Sequence, residues 1–282
     1  MTDKLILLGT AGGSAIYIYP GTNRSRHGIS SAMVVGGRLY IIDQGESAVR
    51  QLTLADPLGV GSSNVLRDIE AFFITHLHAD HAMDLPNFLH CGYNQGWPDF
   101  SVPVIGPWPR WFRQEQFGPE VPEEGIRAPG AADFVSRIID AAAADLLDRV
   151  YASKQTSGEE RLHGVDIAVP PELADADAYT ECRPFLAYED DRIRVMATLT
   201  KHGAMFPSLA YRFETETASV VFSGDTGPND NVIELAQGAD ILVHEAIDRT
   251  FALVRYGKPP YSPEQQAFVD FVLSKHSTAD LV

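Results

Sequence analysis

The run Thr75-His76-Leu77-His78-Ala79-Asp80-His81 gathers three of the chain's nine histidines, and a carboxylate, into one short loop. It follows Ala71-Phe72-Phe73-Ile74, an apolar stretch of β-forming residues, so these side chains stand where a buried strand gives way to a loop. Residues two apart share a side of extended backbone. His76 and His78 therefore point together, while Asp80 and His81 can turn across to a second position. The pattern reads as a metal site with room for two adjacent ions. The plain alternative is a solvated polar loop, and the concentration of imidazoles weighs against it.

The same logic recurs further on. Arg192–Leu199 reads as a strand delivering Lys201-His202-Gly203; Leu209–Glu214 and Ala218–Ser223 form a hairpin pattern ending in Gly224-Asp225-Thr226-Gly227; Asp240–Val243 ends in His244-Glu245-Ala246. Polar residues able to bind metal thus stand at the C-terminal ends of apolar strands, where a rigid sheet can aim them. Earlier, Ser30–Val35 and Arg38–Asp43 join at Gly36-Gly37, a hairpin pattern, and Ser47–Leu54 looks helical. Asp43 reads either as a cap or turn residue or as a carboxylate that orients a ligand histidine. Gly9-Thr10-Ala11-Gly12-Gly13-Ser14 has the spacing of neither phosphate-binding loop and reads as a turn.

Three other histidines read as bystanders. His27, beside Asn23-Arg24-Ser25-Arg26, is expected to be solvated, as is His163, and His90 to lie near a pocket wall. Ala82–Leu89 should be a helix broken or shifted by Pro86. From Ala131 to about Ser153, apolar residues at Phe134, Ile138, Ala142, Leu146 and Val150 predict one long amphipathic helix. The segment 109–188, rich in proline and acidic residues around that helix, reads as an insertion shaping a cleft. Just before and into it, Trp108-Pro109-Arg110-Trp111-Phe112 suggests a lid or a surface anchor.

A net charge of −16 argues against a broad surface for nucleic acid or anionic membrane. No apolar run has membrane-spanning length, and the N-terminal one is too short for a secretory signal. Cys91 and Cys182 lack any C-x-x-C spacing, as in a reduced, cytoplasmic protein. The expected partner is a small-molecule ester, with nucleic acid disfavoured and no membrane, and a homodimer is compatible with the sequence.

With these motifs the chain resembles the metallo-β-lactamase-fold hydrolases, in particular the ribonuclease Z and arylsulfatase-like branch. The H-x-H-x-D-H signature is His76, His78, Asp80 and His81; Lys201-His202-Gly203 resembles the next ligand motif and Asp225 the bridging aspartate. The resemblance implies an α/β, αββα sandwich forming a single domain over 1–282. It places one metal on His76, His78 and His202, a second on Asp80 and His81, and Asp225 between them. Two zinc ions suit this set, and manganese or iron also fit. The implied reaction is ester hydrolysis by a metal-held hydroxide, with Asp80 and His276 as candidate catalytic residues, His276 paired with Glu245 for proton transfer. The alternatives are a ribonuclease Z-type tRNA 3′-end endonuclease and a non-catalytic metal-binding domain.

The resemblance fails at one point. The family carries a last metal histidine on a strand after the His-Ser-Thr segment, here His276-Ser277-Thr278-Ala279-Asp280. Ser277 and Asp280 have the spacing of a capping box opening a helix, and the chain is expected to be truncated before that strand. Alternatively, His276 itself closes the second metal position.

Overall fold

A computed structural model describes residues 2–13, 26–173, 177 and 180–282. Ser14 and Asn23-Arg24-Ser25, both named above, lie outside them. The chain divides into two compact units, 1–167 and 168–282.

The first unit is built on a six-stranded sheet. Its elements in chain order are β1 (Lys4–Gly9), β2 (Ser30–Val35), β3 (Arg38–Ile42), α1 (Ala48–Ala55), β4 (Ile69–Phe73), α2 (Ala79–Ala82), α3 (Leu85–Cys91), β5 (Val102–Gly106), β6 (Arg110–Phe112), α4 (Gln114–Phe117), β7 (Ile126–Ala128), α5 (Ala131–Ala141), α6 (Ala143–Tyr151), α7 (Gly158–Arg161) and β8 (Leu162–Asp166). The sheet order is β1-β2-β3-β4-β5-β8, and β6 and β7 pair apart from it. The β2–β3 hairpin turns on Gly36 and Gly37, with φ of 56° and 81°. Both central residues of such a tight hairpin turn need this left-handed backbone, which glycine adopts without steric cost. From β3 onward the neighbours β3–β4, β4–β5 and β5–β8 are parallel. A parallel pair needs a crossover, and buried residues of the intervening helices, Leu52, Phe88, Leu89 and Val135, pack with Ile41, Ile69, Phe72 and Val104 of the sheet. Each such fully buried side chain contributes roughly 1.5–3 kcal/mol, which makes β4 a rigid mount for the loop that follows it.

Glycine also lets backbone meet backbone beneath that loop. A Cβ on Gly28 would stand 2.3 Å from the Glu46 amide nitrogen, and one on Gly45 would stand 2.6 Å from the Asp80 carbonyl oxygen. The approach to β2, the turn after β3 and the histidine loop are stacked at a distance that no side chain permits.

The long helix expected over 131–153 is two helices, broken at Ala142, whose φ and ψ are −86° and 0°. Gly158 packs across the break: a Cβ there would lie 2.7 Å from Ile139 and 3.0 Å from Leu146. The two buried stripes therefore close on the start of α7. Pro86 shifts rather than breaks its helix, standing at the N-terminal end of α3, where its missing N–H costs no bond. Within the stretch 109–188, β8 is a strand of the six-stranded sheet, whereas β6 and β7 lie outside it.

The second unit carries β9 (Phe185–Glu189), β10 (Arg194–Leu199), β11 (Leu209–Glu214), β12 (Ser219–Phe222), α8 (Asp230–Ala236), β13 (Ile241–Val243), α9 (Phe251–Tyr256) and α10 (Pro263–Ser274). Its sheet runs β13-β12-β11-β10-β9, antiparallel except for the parallel pair β12–β13. Val232 and Leu235 of α8 bury against Ala210 and Val221. The capping box expected at Ser277 is absent. Capping boxes occur instead at Ser157, which opens α7 with Glu160, and at Ser262, which opens α10 with Gln265. The Ser277 hydroxyl instead donates to the Thr226 carbonyl at 2.8 Å, and its amide to Glu245 at 3.0 Å. Both groups are committed to tertiary partners, and residues 279–282 are not helical. No helix among the described residues is long and apolar enough to cross a membrane.

Candidate metal centre

In the first unit the donors hang from the end of β4. His76 and His81 are buried, and beneath them lies the Asp43 carboxylate, only 3% exposed. Asp43 Oδ1 accepts the Thr75 amide at 2.8 Å, Oδ2 accepts the Thr75 hydroxyl at 2.9 Å, and Oδ2 lies 2.8 Å from His81 Nδ1. Asp43 adopts φ of 53°, an uncommon conformation for which Asp and Asn are the best-suited side chains after glycine. It does not cap the helix after it, whose N-cap position is Ser47 and whose Val49 amide goes to Asp84. Of the two readings of Asp43, the structure shows the orienting carboxylate.

Thr75 Oγ1 also lies 3.1 Å from His76 Nδ1. With Nδ1 of His76 and of His81 turned onto protein oxygens, each ring presents Nε2 on its other side. His76 Nε2 faces His78 Nδ1 at 2.9 Å. Two ring nitrogens this close suit two ligands of one cation, since zinc–nitrogen bonds are about 2.0–2.1 Å. Asp80 Oδ2 lies 3.7 Å from His81 Nε2 and accepts the Gly13 amide at 2.7 Å.

In the second unit, His202 Nδ1 lies 3.2 Å from the Lys275 carbonyl, and its Nε2 faces Asp225 Oδ2 at 3.6 Å. His276 Nδ1 lies 3.0 Å from Glu245 Oε1, which also accepts the Thr226 and Ser277 amides. One donor atom from each of His202, Asp225 and His276 fits within 4.8 Å of the others. Burial alone would lower the His276 pKa, but the Glu245 hydrogen bond and the Asp225 charge outweigh it and hold the imidazole above its ordinary value.

Four histidines thus have Nδ1 tethered to a hydroxyl, a carboxylate or a carbonyl. This is the outer shell that fixes the ring and tautomer of a metal-binding histidine, and the donor set suits a divalent metal. The other histidines stand elsewhere: His90 with Asp145, His163 with Ser101, and His244 against the Glu245 carbonyl. Of the expected lid, Trp108 is buried and Trp111 is exposed.

Sequence reasoning missed Thr75, Asp84 and the Lys275 carbonyl. Asp84 is buried, accepts the Val49 amide at the start of α1 at 2.8 Å, and through its own amide holds the Gln44 carbonyl at 2.9 Å. Burial pushes its carboxyl above the usual range. A spacing of four from Asp80 was its only trace in the sequence.

With this geometry in hand, the chain can be set beside known proteins. It overlays human tRNase Z, short form, with a TM-score of 0.52 over 99% of this chain and 93% of that one, at 18% identity. Zinc-bound PqqB from Methylobacterium extorquens gives 0.50 over 94% and 78%, at 13% identity. The chain is a mixed α/β protein of the metallo-β-lactamase fold. In sequence it is similar to ribonuclease Z of Mycobacterium bovis (strain BCG / Pasteur 1173P2), at 28% identity over 246 residues, covering 86% of this chain and 70% of the relative. No family model matches the chain.

Proposed function

We propose a cytoplasmic, metal-dependent hydrolase of an ester bond, with a phosphodiester as the first candidate. The observation that carries it is the tethering of Nδ1 on His76, His81, His202 and His276, which leaves the opposite ring edges to act. The residues assigned to metal binding are His76, His78, Asp80 and His81 in the first unit and His202 and Asp225 in the second, with zinc favoured by imidazole and carboxylate donors. A divalent ion held by such donors would supply Lewis acidity and an acidified water. The chain's own residues do the rest. Asp80, steadied by the Gly13 amide, takes or orients the proton of the attacking water. His276, held by Glu245, returns a proton to the leaving oxygen.

A narrower reading, a tRNA 3′-end endonuclease of the ribonuclease Z type, is favoured by the names of the sequence relatives. The net charge of −16 counts against it, since nucleic-acid affinity rests on phosphate contacts from lysine and arginine. The test sets bis(p-nitrophenyl) phosphate, p-nitrophenyl sulfate, a lactone and a precursor tRNA against the metal-loaded protein and its Asp80→Ala variant. The expected result is turnover of the phosphodiester, reduced by at least ~10²-fold in the variant. Metal-free protein at saturating zinc, or turnover unchanged by Asp80→Ala, would overturn the reading, and cleavage confined to the precursor tRNA would select the narrower one.

A further inference from the structure

Among the described residues of the first unit, one buried cation has no counter-charge. Arg161 closes α7 where the chain enters β8, and its carbonyl accepts Trp97 Nε1 at 2.9 Å, so its backbone is fixed to the sheet. The residue is 6% exposed. Its guanidinium carbon lies 3.8 Å from the centre of the Tyr93 ring, and that of Arg149 lies 4.6 Å from the same ring. Yet Arg161 Nε and Nη1 are buried without a hydrogen-bond partner among the described residues.

A buried charge is normally paired, and arginine cannot relieve the cost by losing its proton. The chain has 38 acidic residues to draw on. Among the described residues no carboxylate acts on Arg161, whose polar neighbours are Arg149 and the Tyr93 phenol, to which it is hydrogen-bonded. Asp145, whose charge acts on Tyr93, is taken by Arg149 at 2.8 Å and by His90 at 2.9 Å. Tyr93 draws the cation to its face and takes one hydrogen bond at its hydroxyl, which still leaves Nε and Nη1 without an acceptor. Tyr93 itself is held by its hydroxyl, which donates to the Thr156 carbonyl at 3.1 Å. Tyr93 and Arg149 are half-buried and Thr156 is exposed, which brings the cluster within reach of a solute.

We propose that Arg161, Arg149 and Tyr93 form a binding site for a phosphate-type oxyanion, separate in residues from the metal centre. Arg161 donates charge-assisted hydrogen bonds through its unpartnered Nε and Nη1 groups, and Arg149 adds a second positive charge. Free phosphate and the phosphate group of a nucleotide carry the same chemistry.

The experiment follows thermal unfolding of the metal-loaded protein and of Arg161→Met at constant ionic strength, with chloride replaced stepwise by phosphate. Because the metal centre is common to both proteins, the difference between them reports this site. The expected result is that Arg161→Met unfolds at a higher temperature than wild type in chloride, as when an unpaired buried charge gives way to an apolar side chain of similar size. Phosphate should then stabilise wild type more than the variant. A variant that melts lower in chloride and gains as much from phosphate would show Arg161 to be satisfied within the fold, and would overturn the proposal. If Arg161→Met does not fold, calorimetric titration of phosphate into wild type and Arg149→Gln decides: affinity about tenfold weaker in the variant supports the site, and equal affinity overturns it. Adenosine monophosphate, titrated in parallel, separates the sources. Tighter binding than phosphate points to a nucleotide, equal binding to the free ion, and no binding of either refutes the site.

Discussion

Replacing Asp43 by Asn tests whether the outer shell governs the metal donors. The change suits the backbone, because Asn tolerates the φ of 53° nearly as well as Asp. It also keeps the shape: an Asn oxygen can still accept the Thr75 amide now 2.8 Å from Oδ1. What it cannot keep is the partner of His81. The Asn Nδ2 would face His81 Nδ1, now 2.8 Å from a carboxylate oxygen, and two donors would meet. Relief comes when His81 moves its proton to Nε2, and a protonated Nε2 cannot bind metal. Loss of such an outer partner weakens metal binding by typically 10–100-fold, or about 1.4–2.7 kcal/mol. The assay is competition for zinc against a chromogenic chelator, with circular dichroism to verify folding. The expected result is a folded Asp43→Asn protein whose zinc affinity has fallen within that range. A folded variant of unchanged affinity would refute the claim that Asp43 sets the tautomer of His81.

Three further outcomes are expected. Gly28→Ala should cost at least the ~1–3 kcal/mol of an overpacked core in urea unfolding, because its Cβ would stand 2.3 Å from the Glu46 backbone nitrogen; near-native stability would show that this stack of backbones separates freely. Burial raises the Asp84 pKa, so the native state holds that proton more tightly than the unfolded chain, and its contribution to stability should decline as pH rises upward from about 4. Urea midpoints across pH should show that decline in wild type and lack it in Asp84→Asn; parallel pH profiles would contradict it. His276→Ala should leave metal content unchanged and lower turnover by ~10²–10⁴-fold, whereas a parallel loss of metal would make His276 a ligand.

The metal-binding pattern and the fold class were legible in the sequence because both are local. Spacing just beyond a strand end brings His76 and His78 together, and apolar runs ending in His202, Asp225 and Glu245 mark sheets that present polar residues at their edges. The break at Ala142 was not legible, since the apolar period runs through it unchanged and Gly158, which packs across it, lies sixteen residues on. Ser277-x-x-Asp280 has the spacing of a cap, yet the Thr226 carbonyl and Glu245 claim the groups a cap would use. Asp43 offered two readings of equal weight in sequence. Its partners, Thr75 and His81, are 32 and 38 residues away, and only the parallel pairing of β3 with β4 brings strand ends so distant together. Residue type and spacing determine which atoms are able to bind a metal, whereas the hydrogen bonds that turn one ring nitrogen inward and the other outward come from chain segments that meet only in the folded protein.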